Sequence, residues 1–180
     1  MIIPRPPNMY RALRSQLGSI RNVYFAPHDI DTFHDFSENR EVVLLIHGFF
    51  QTRNIWDCME RRLRHDGYSV MSFNQHGTFS RLNTHPIDTL AKMLSDKIEH
   101  LNETHGFEKV HIVGHSKGGI VGRRYIQHFD GDKRVLSLTT LGSPHRGTPT
   151  ALAGLLLLLV SSNPRELLPT SRLIRTLNKD

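Results

Sequence analysis

Hydrophobic positions along the chain form short runs separated by segments with helical spacing. The short runs are rich in β-branched and aliphatic side chains and predict strands at Val42–Ile46, Ser69–Phe73, Lys109–Val113 and Val135–Leu141. Apolar residues three or four positions apart predict helices that stop at a glycine, from Ile55 up to Gly67, Ile87 up to Gly106 and Val121 up to Gly131. Strand and helix therefore alternate along the middle of the chain.

This alternation predicts the fold class. Strands that are apolar nearly throughout, joined by connections of helix length, favour a parallel sheet with helices on both faces. We therefore expect an α/β fold in three layers with a mostly parallel sheet. After Leu141 the sequence predicts a short helix over Arg172–Leu177 and no further strand, so the late strands of such a sheet are expected to be missing.

Two parts of the chain are expected. Residues 1–40 begin with a proline-rich stretch and carry a His- and Asp-rich segment, which predicts an N-terminal extension and not a domain. Residues 41–180 are predicted to form the α/β core. With 180 residues, of which 38% are hydrophobic, the chain is long enough for one packed core and too short for two ordinary domains.

Composition excludes several classes of protein. Cys58 is the only cysteine, which excludes a disulfide scaffold, and we expect it to be a small buried hydrophobic residue on its helix. The content of Leu, Ile, Val and Phe excludes a disordered chain.

No apolar stretch of signal-peptide length lies near the N-terminus, and residues 151–160, the longest apolar run, would span only about 15 Å as a helix. A cytoplasmic location is therefore expected.

The charge balance is basic. Lys and Arg number 23 against 17 Asp and Glu, a net charge of +6, and such a balance favours nucleic acid or anionic lipid. The arginines are nevertheless spread along the chain. Their densest cluster alternates with acidic residues as on a solvated helix face, with Arg61, Arg62 and Arg64 among Asp57, Glu60 and Asp66. We therefore expect no nucleic-acid partner.

Polar and glycine-rich groups follow the predicted strands, where the carboxyl ends of parallel strands form sites. The most informative is Gly114-x-Ser116-x-Gly118, which lies between a predicted strand and a predicted helix, the context of a nucleophile elbow. In such a turn small residues on either side let the Ser116 hydroxyl project above the sheet. The helix that follows aims its free N–H groups at the same place, where the Lys117 N–H would stabilise a developing oxyanion.

The same glycine pattern has a simpler interpretation. A glycine-rich turn between strand and helix can cradle a phosphate, with Ser116 serving only as a helix cap. The spacings of a P-loop and of a dinucleotide-binding turn are both absent, which favours the nucleophile.

Three segments resemble the α/β-hydrolase family, specifically its bacterial lipase and esterase branch. They are VVLLIHGFF at 42–50, HIVGHSKGG at 111–119 and LGSPHRGTP at 141–149, and the resemblance covers roughly residues 41–150. It implies that Ser116 is the nucleophile and that the N–H groups of Phe49 and Lys117 form the oxyanion hole. It also implies that segment 150–170 carries a lid, the alternative being an ordinary buried helix.

The resemblance leaves the general base and acid unassigned. In the family the acid and the histidine follow the nucleophile on loops after later strands, and no such strand is predicted here. Asp130 and Asp132 are expected on the opposite rim from Ser116, and the family resemblance assigns structural roles to His47, His115 and His145. We therefore expect a C-terminally incomplete hydrolase whose base and acid lie beyond Asp180.

These observations predict a serine hydrolase that cleaves carboxylic esters through an acyl-enzyme on Ser116. The expected partners are an acyl ester or lipid substrate and, transiently, a lipid surface. No cofactor and no metal are expected, because the twelve histidines include no H-E-x-x-H and the chain has no C-x-x-C. Thioesterase, amidase and glycolipid deacylase activities stay open, as do a non-catalytic binding protein of the same fold and a basic nucleic-acid binder.

Two aromatic residues beside the first strand have two interpretations. Phe50 and Trp56 would line an acyl pocket in one, whereas in the other Trp56 packs its helix against the sheet, which we favour.

Overall fold

Four parallel strands form one sheet in the computed structural model, which describes residues 42–49, 51–73, 85–149 and 163–179. The strands are β1 (Val42–Ile46), β2 (Ser69–Phe73), β3 (Val110–His115) and β4 (Val135–Leu141). The helices are α1 (Asp57–His65), α2 (Ile87–His105), α3 (Lys117–His128) and α4 (Arg172–Leu177), with 3-10 turns at Arg53–Trp56, Gly131–Lys133 and Asn163–Leu167. The expected α/β class with a parallel sheet is confirmed.

The strand bounds follow the hydrophobic runs closely. The predicted bounds of β1, β2 and β4 are confirmed, whereas β3 begins one residue later than predicted and extends to His115. The extension arises because Gly114 and His115 pair with Thr140 and Leu141 of β4. Glycine has low strand propensity, so local sequence preference ended this strand too early.

The order of strands across the sheet is β2-β1-β3-β4. The chain therefore moves from β1 to one neighbour and then returns to the other side of β1. In open parallel sheets a crevice forms at such a reversal, outside the carboxyl ends of the two strands. Here those ends lead into the loop at 47–49 and the turn at Ser116, which places the two segments side by side.

Alternate residues of β1 face opposite sides of the sheet, and each side is covered by helices. Val42, Leu44 and Ile46 pack with α2 and α3 in the larger core cluster. Val43 and Leu45 pack with Trp56 and Val70 on the other side, beneath α1. The fold thus has three layers. Trp56 is 3% exposed and packs in this smaller cluster, as favoured from the sequence. It also lines a cavity beside His115, so its acyl-pocket role stays a prediction.

Cys58 corrects one expectation, because its side chain is exposed and not buried. The helix α1 turns only one stripe toward the sheet, and that stripe carries Met59 and Leu63. Successive helical residues are about 100° apart, so Cys58 points away from the packed stripe.

The C-terminal segment, residues 163–179, is fastened to the two helices of the larger cluster. The Ile87 N–H at the start of α2 donates to Glu166 Oε2 at 2.9 Å, which satisfies one of the free N–H groups of that helix end. The guanidinium of Arg123 in α3 donates to the Leu177 carbonyl oxygen at 2.5 Å. The short helix predicted over α4 is therefore confirmed and is held in place by contacts distant in sequence.

Several predictions concern residues outside the described ranges. The N-terminal extension at 1–40, Phe50 and most of the predicted lid segment lie there.

Among the described helices, none is both long and apolar enough to cross a membrane.

The glycines of α3 give a sharp test of the packing. A Cβ at Gly118 would lie 2.2 Å from the Ile46 carbonyl oxygen and 2.8 Å from that of His47, and this strand backbone cannot move aside without breaking the sheet. We therefore expect Gly118→Ala to lower the free energy of unfolding by about 3 kcal/mol, measured by urea denaturation.

Gly122→Ala is the matched control in the same helix. Its Cβ would meet the terminal methyl Cδ1 of Leu138 at 2.9 Å, which can rotate away, and alanine favours a helix over glycine by about 1 kcal/mol. We expect this variant to be within about 1 kcal/mol of the unaltered chain. Equal losses in the two variants would contradict the packing described here.

Candidate functional site

Ser116 occupies a sharp turn between β3 and α3. Its backbone angles are φ 51° and ψ −122°, a conformation that non-glycine residues rarely adopt and that surrounding structure must hold in place. The Ser116 N–H donates to the Leu141 carbonyl oxygen at 2.8 Å, and its carbonyl accepts from the Gly119 N–H at 3.2 Å. The strand, turn and helix predicted around G-x-S-x-G are thus all present.

The glycines of this turn permit unusually close backbone packing. A Cβ at Gly114 would lie 2.5 Å from Cα of Gly119, and a Cβ at Gly119 would lie 2.1 Å from Ser143 Oγ. Distances under 3 Å leave no room for a side chain at either position. The start of α3 consequently sits directly on β3 and on the loop after β4.

The loop after β1 is fixed by the side chain of His47, which is 1% exposed. Its Nδ1 lies 3.1 Å from the Gly48 carbonyl oxygen, which can only accept, so Nδ1 donates. That carbonyl belongs to the same peptide unit as the Phe49 N–H, and the bond therefore fixes the direction of this N–H. Burial, with a smaller contribution from the nearby Lys117 charge, lowers the pKa of His47 to about 4, so the imidazole is neutral at neutral pH.

The loop contacts the turn directly at Gly48. A Cβ there would lie 2.9 Å from Cβ of Ser116 and 3.2 Å from the His115 carbonyl oxygen. The structure therefore brings Phe49, Ser116 and Lys117, all predicted from the sequence, into one small region at the carboxyl ends of β1 and β3.

Sequence reasoning missed Gln51 in this region. Its Oε1 accepts from the Gly48 N–H at 2.8 Å and lies 2.9 Å from His115 Nδ1. The sequence gives only a weak indication of this role, because a polar residue a few positions after a His-Gly pair does not show that it contacts His115, which is distant in sequence.

Lys117 is fully buried, which the sequence did not predict. Its Nζ donates to the His85 carbonyl oxygen at 2.5 Å and lies 5.5 Å from the centroid of the Phe49 ring, a distance at which an ammonium is attracted to an aromatic face. Burial lowers the pKa of Lys117 to about 7, while the Glu166 carboxylate opposes this fall. Burial likewise raises the pKa of Glu166.

The other predicted groups bond to residues other than Ser116. His145 is held in the turn after β4, where its Nε2 lies 3.0 Å from Thr140 Oγ1 and its carbonyl accepts from Asn178 at 2.7 Å. Asp130 pairs with Lys133 at 2.8 Å beyond the far end of α3. Within the described residues no histidine or carboxylate bonds to the Ser116 hydroxyl.

The part of the chain that the structure describes contains no group of three or more His, Cys, Asp or Glu side chains that could hold a metal ion.

Comparison with known proteins gives relatives of several activities. A fluoroacetate dehalogenase of Burkholderia sp is 34% identical over 104 residues, which are 55% of this chain and 33% of that protein. A triacylglycerol lipase of Pseudarthrobacter phenanthrenivorans is 30% identical over 122 residues, which are 64% of this chain and 37% of the lipase. The chain thus spans about a third of the length of these curated relatives.

Solved structures show the same fold. The mature form of the Bacillus licheniformis lipase BlEst2 superimposes with a TM-score of 0.63 at 19% sequence identity, covering 76% of this chain and 57% of the lipase. The sequence profile of the alpha/beta hydrolase fold matches residues 41–169. Because this match includes both the loop after β1 and the turn at Ser116, the chain belongs to the α/β-hydrolase fold family.

Proposed function

We propose that the chain carries the nucleophile and the oxyanion hole of a serine hydrolase that cleaves carboxylic esters. The observation that carries this proposal is the strained turn at Ser116, set against the loop at 47–49. Strain of this kind is retained where the surrounding structure enforces it and clusters at functional sites. In the family, the same turn presents a nucleophile above the sheet.

The reaction proceeds in two balanced steps. Ser116 Oγ attacks the ester carbonyl while its proton passes to a general base, and the tetrahedral intermediate expels the alcohol, which takes the proton back. Water then attacks the acyl-enzyme in the same way and releases the carboxylic acid. In this proposal the base and the acid that orients it lie outside the described residues.

Two backbone donors support the oxyanion assignment. The Phe49 N–H is oriented by the bond from His47 to the Gly48 carbonyl oxygen. The Lys117 N–H lies at the first residue of α3, and the N-terminal end of a helix favours negative charge. Preorganised donors of this kind stabilise the oxyanion because they need not reorient during the reaction.

The substrate class rests on the relatives. A triacylglycerol lipase matches 64% of this chain at 30% identity, which supports an acyl ester or lipid as substrate. Thioesters, amides and glycolipids present the same carbonyl chemistry and are alternatives within the class. Lipid-surface contact through the predicted lid at 150–170 stays a prediction, because most of that segment lies outside the described residues.

The nucleophile is tested by labelling with a fluorophosphonate, which reacts with activated serines. In the natural full-length protein we expect the probe to attach to Ser116, as identified by peptide mass spectrometry, and the labelling to be lost in Ser116→Ala. Ser95→Ala, which alters a serine of α2, is the matched control and should be labelled like the unaltered chain.

Absence of labelling in the natural full-length protein would favour a non-catalytic binding protein of the same fold. Labelling that persists in Ser116→Ala would show that another residue is the nucleophile.

The buried Lys117 gives a test of the site's electrostatics. Burial lowers its pKa from an ordinary 10.5 to about 7, so between these pH values the unfolded chain binds a proton that the folded chain does not. Native stability therefore falls as pH decreases from 10.5 to 7, by at most about 1.4 kcal/mol per pH unit.

Lys117→Met removes this dependence. The unfolding free energy of Lys117→Met minus that of the unaltered chain should be highest near pH 7 and should fall as pH rises toward 10.5, because only the unaltered chain gains stability over this range. Both free energies are measured by urea denaturation. Lys97→Met, at an exposed position of α2, is the control and should show no comparable trend. A difference for Lys117→Met that stays constant over this range would contradict the burial.

A further inference from the structure

Gln51 lies where the two halves of the proposed oxyanion site meet. Its Oε1 accepts from the Gly48 N–H at 2.8 Å and lies 2.9 Å from Nδ1 of His115. Gly48 belongs to the loop after β1, and His115 is the residue immediately before Ser116. One side-chain oxygen therefore joins the loop to the turn.

The donors and acceptors of this contact can be assigned without ambiguity. A backbone N–H only donates, so the Gln51 atom that faces Gly48 must be the amide oxygen. His115 Nδ1 faces the same oxygen and must also donate. The imidazole consequently carries its proton on Nδ1, which leaves Nε2 as an acceptor.

Close packing leaves almost no free space around the contact between Gln51 and Gly48. A Cβ at Gly48 would lie 2.8 Å from Gln51 Oε1 and 2.9 Å from Cβ of Ser116, so only a hydrogen atom fits between them. The Trp56 ring meets the His115 ring edge-on, with centroids 6.4 Å apart and planes at 86°. The imidazole is thereby held from a second direction.

We propose that Gln51 is a positioning residue for the reaction assigned to Ser116, an inference that rests on the proposed function. Its oxygen holds Gly48, and with it the next peptide and the Phe49 N–H, against the turn. Gln51 does not touch the reacting atoms. Its loss would let the loop move away from Ser116, and a displacement of about 1 Å at such a site can lower the rate by about 100-fold.

Two substitutions separate this role from simple packing. Gln51→Met keeps the length of the side chain and removes the acceptor, whereas Gln51→Glu keeps an oxygen that can accept both bonds. We expect the rate of fluorophosphonate labelling at Ser116 to fall by about 10- to 100-fold in Gln51→Met. The fall in Gln51→Glu should be smaller than in Gln51→Met, because its carboxylate accepts both bonds although its charge opposes the oxyanion. With an ester substrate the loss should fall on kcat and not on KM.

A second measurement tests the contact independently of activity. Nitrogen-15 NMR of the unaltered chain should show the His115 proton on Nδ1, with the signals assigned by His115→Gln. In Gln51→Met the tautomer should shift toward Nε2 and hydrogen exchange at the Gly48 amide should accelerate, while Gln51→Glu should retain both properties.

The outcomes distinguish this inference from the proposed function. A proton on Nε2 of His115 in the unaltered chain, or unchanged labelling in Gln51→Met, would overturn the role of Gln51. Loss of labelling in Gln51→Glu equal to that in Gln51→Met would also overturn it. Failure of the natural full-length protein to label would overturn the proposed function instead, and the NMR result would still decide whether the contact exists.

Discussion

The close approach of Gly118 to the backbone at the end of β1 positions the rest of the site. A Cβ at Gly118 would lie 2.2 Å from the Ile46 carbonyl oxygen, so the first turn of α3 rests on the strand backbone itself. Because α3 begins this close to β1, the turn at Ser116 lies against the loop at 47–49. The next contact, between Gly48 and Ser116, follows from it, because both segments leave adjacent parallel strands at the same edge.

A neutral histidine, His47, and a basic residue, Lys117, are both buried near the contact between Gly48 and Ser116. His47 is buried with its pKa lowered to about 4, and the Lys117 charge contributes to that fall. A neutral imidazole can donate to the Gly48 carbonyl through one nitrogen without bringing a second buried charge beside the lysine. Negative charge that develops above Ser116 would therefore meet oriented N–H dipoles at the start of α3, with the ammonium of Lys117 behind them at low pH.

Much of the fold was predictable, because the strands are short apolar runs with clear ends. The bounds of β1, β2 and β4 follow from the hydrophobic runs alone, whereas the extension of β3 to His115 depends on pairing with β4. The turn at Ser116 was predictable because its glycines, Gly114 and Gly118, each lie two positions from Ser116 in the sequence. The exposure of Cys58 was mispredicted, since a cysteine gives little indication of which face of a helix it occupies.

Contacts between distant residues account for what the sequence did not predict. Glu166 bonds to the start of α2 from 79 positions away, and Gln51 reaches His115 across 64 positions. The burial of Lys117 likewise depends on His85 and Phe49, which no local pattern connects to it. Each of these groups is polar, and a polar residue has no periodic signal that would identify its partner.

The central claim, that the loop at 47–49 and the turn at Ser116 form one oxyanion site, is tested most directly by a crystal structure of the natural full-length protein after reaction with an alkyl phosphonate. The account predicts a covalent bond to Ser116 Oγ, with the phosphonyl oxygen about 2.7–3.1 Å from the amide nitrogens of both Phe49 and Lys117. An adduct whose phosphonyl oxygen points into solvent, or one attached to another residue, would contradict it.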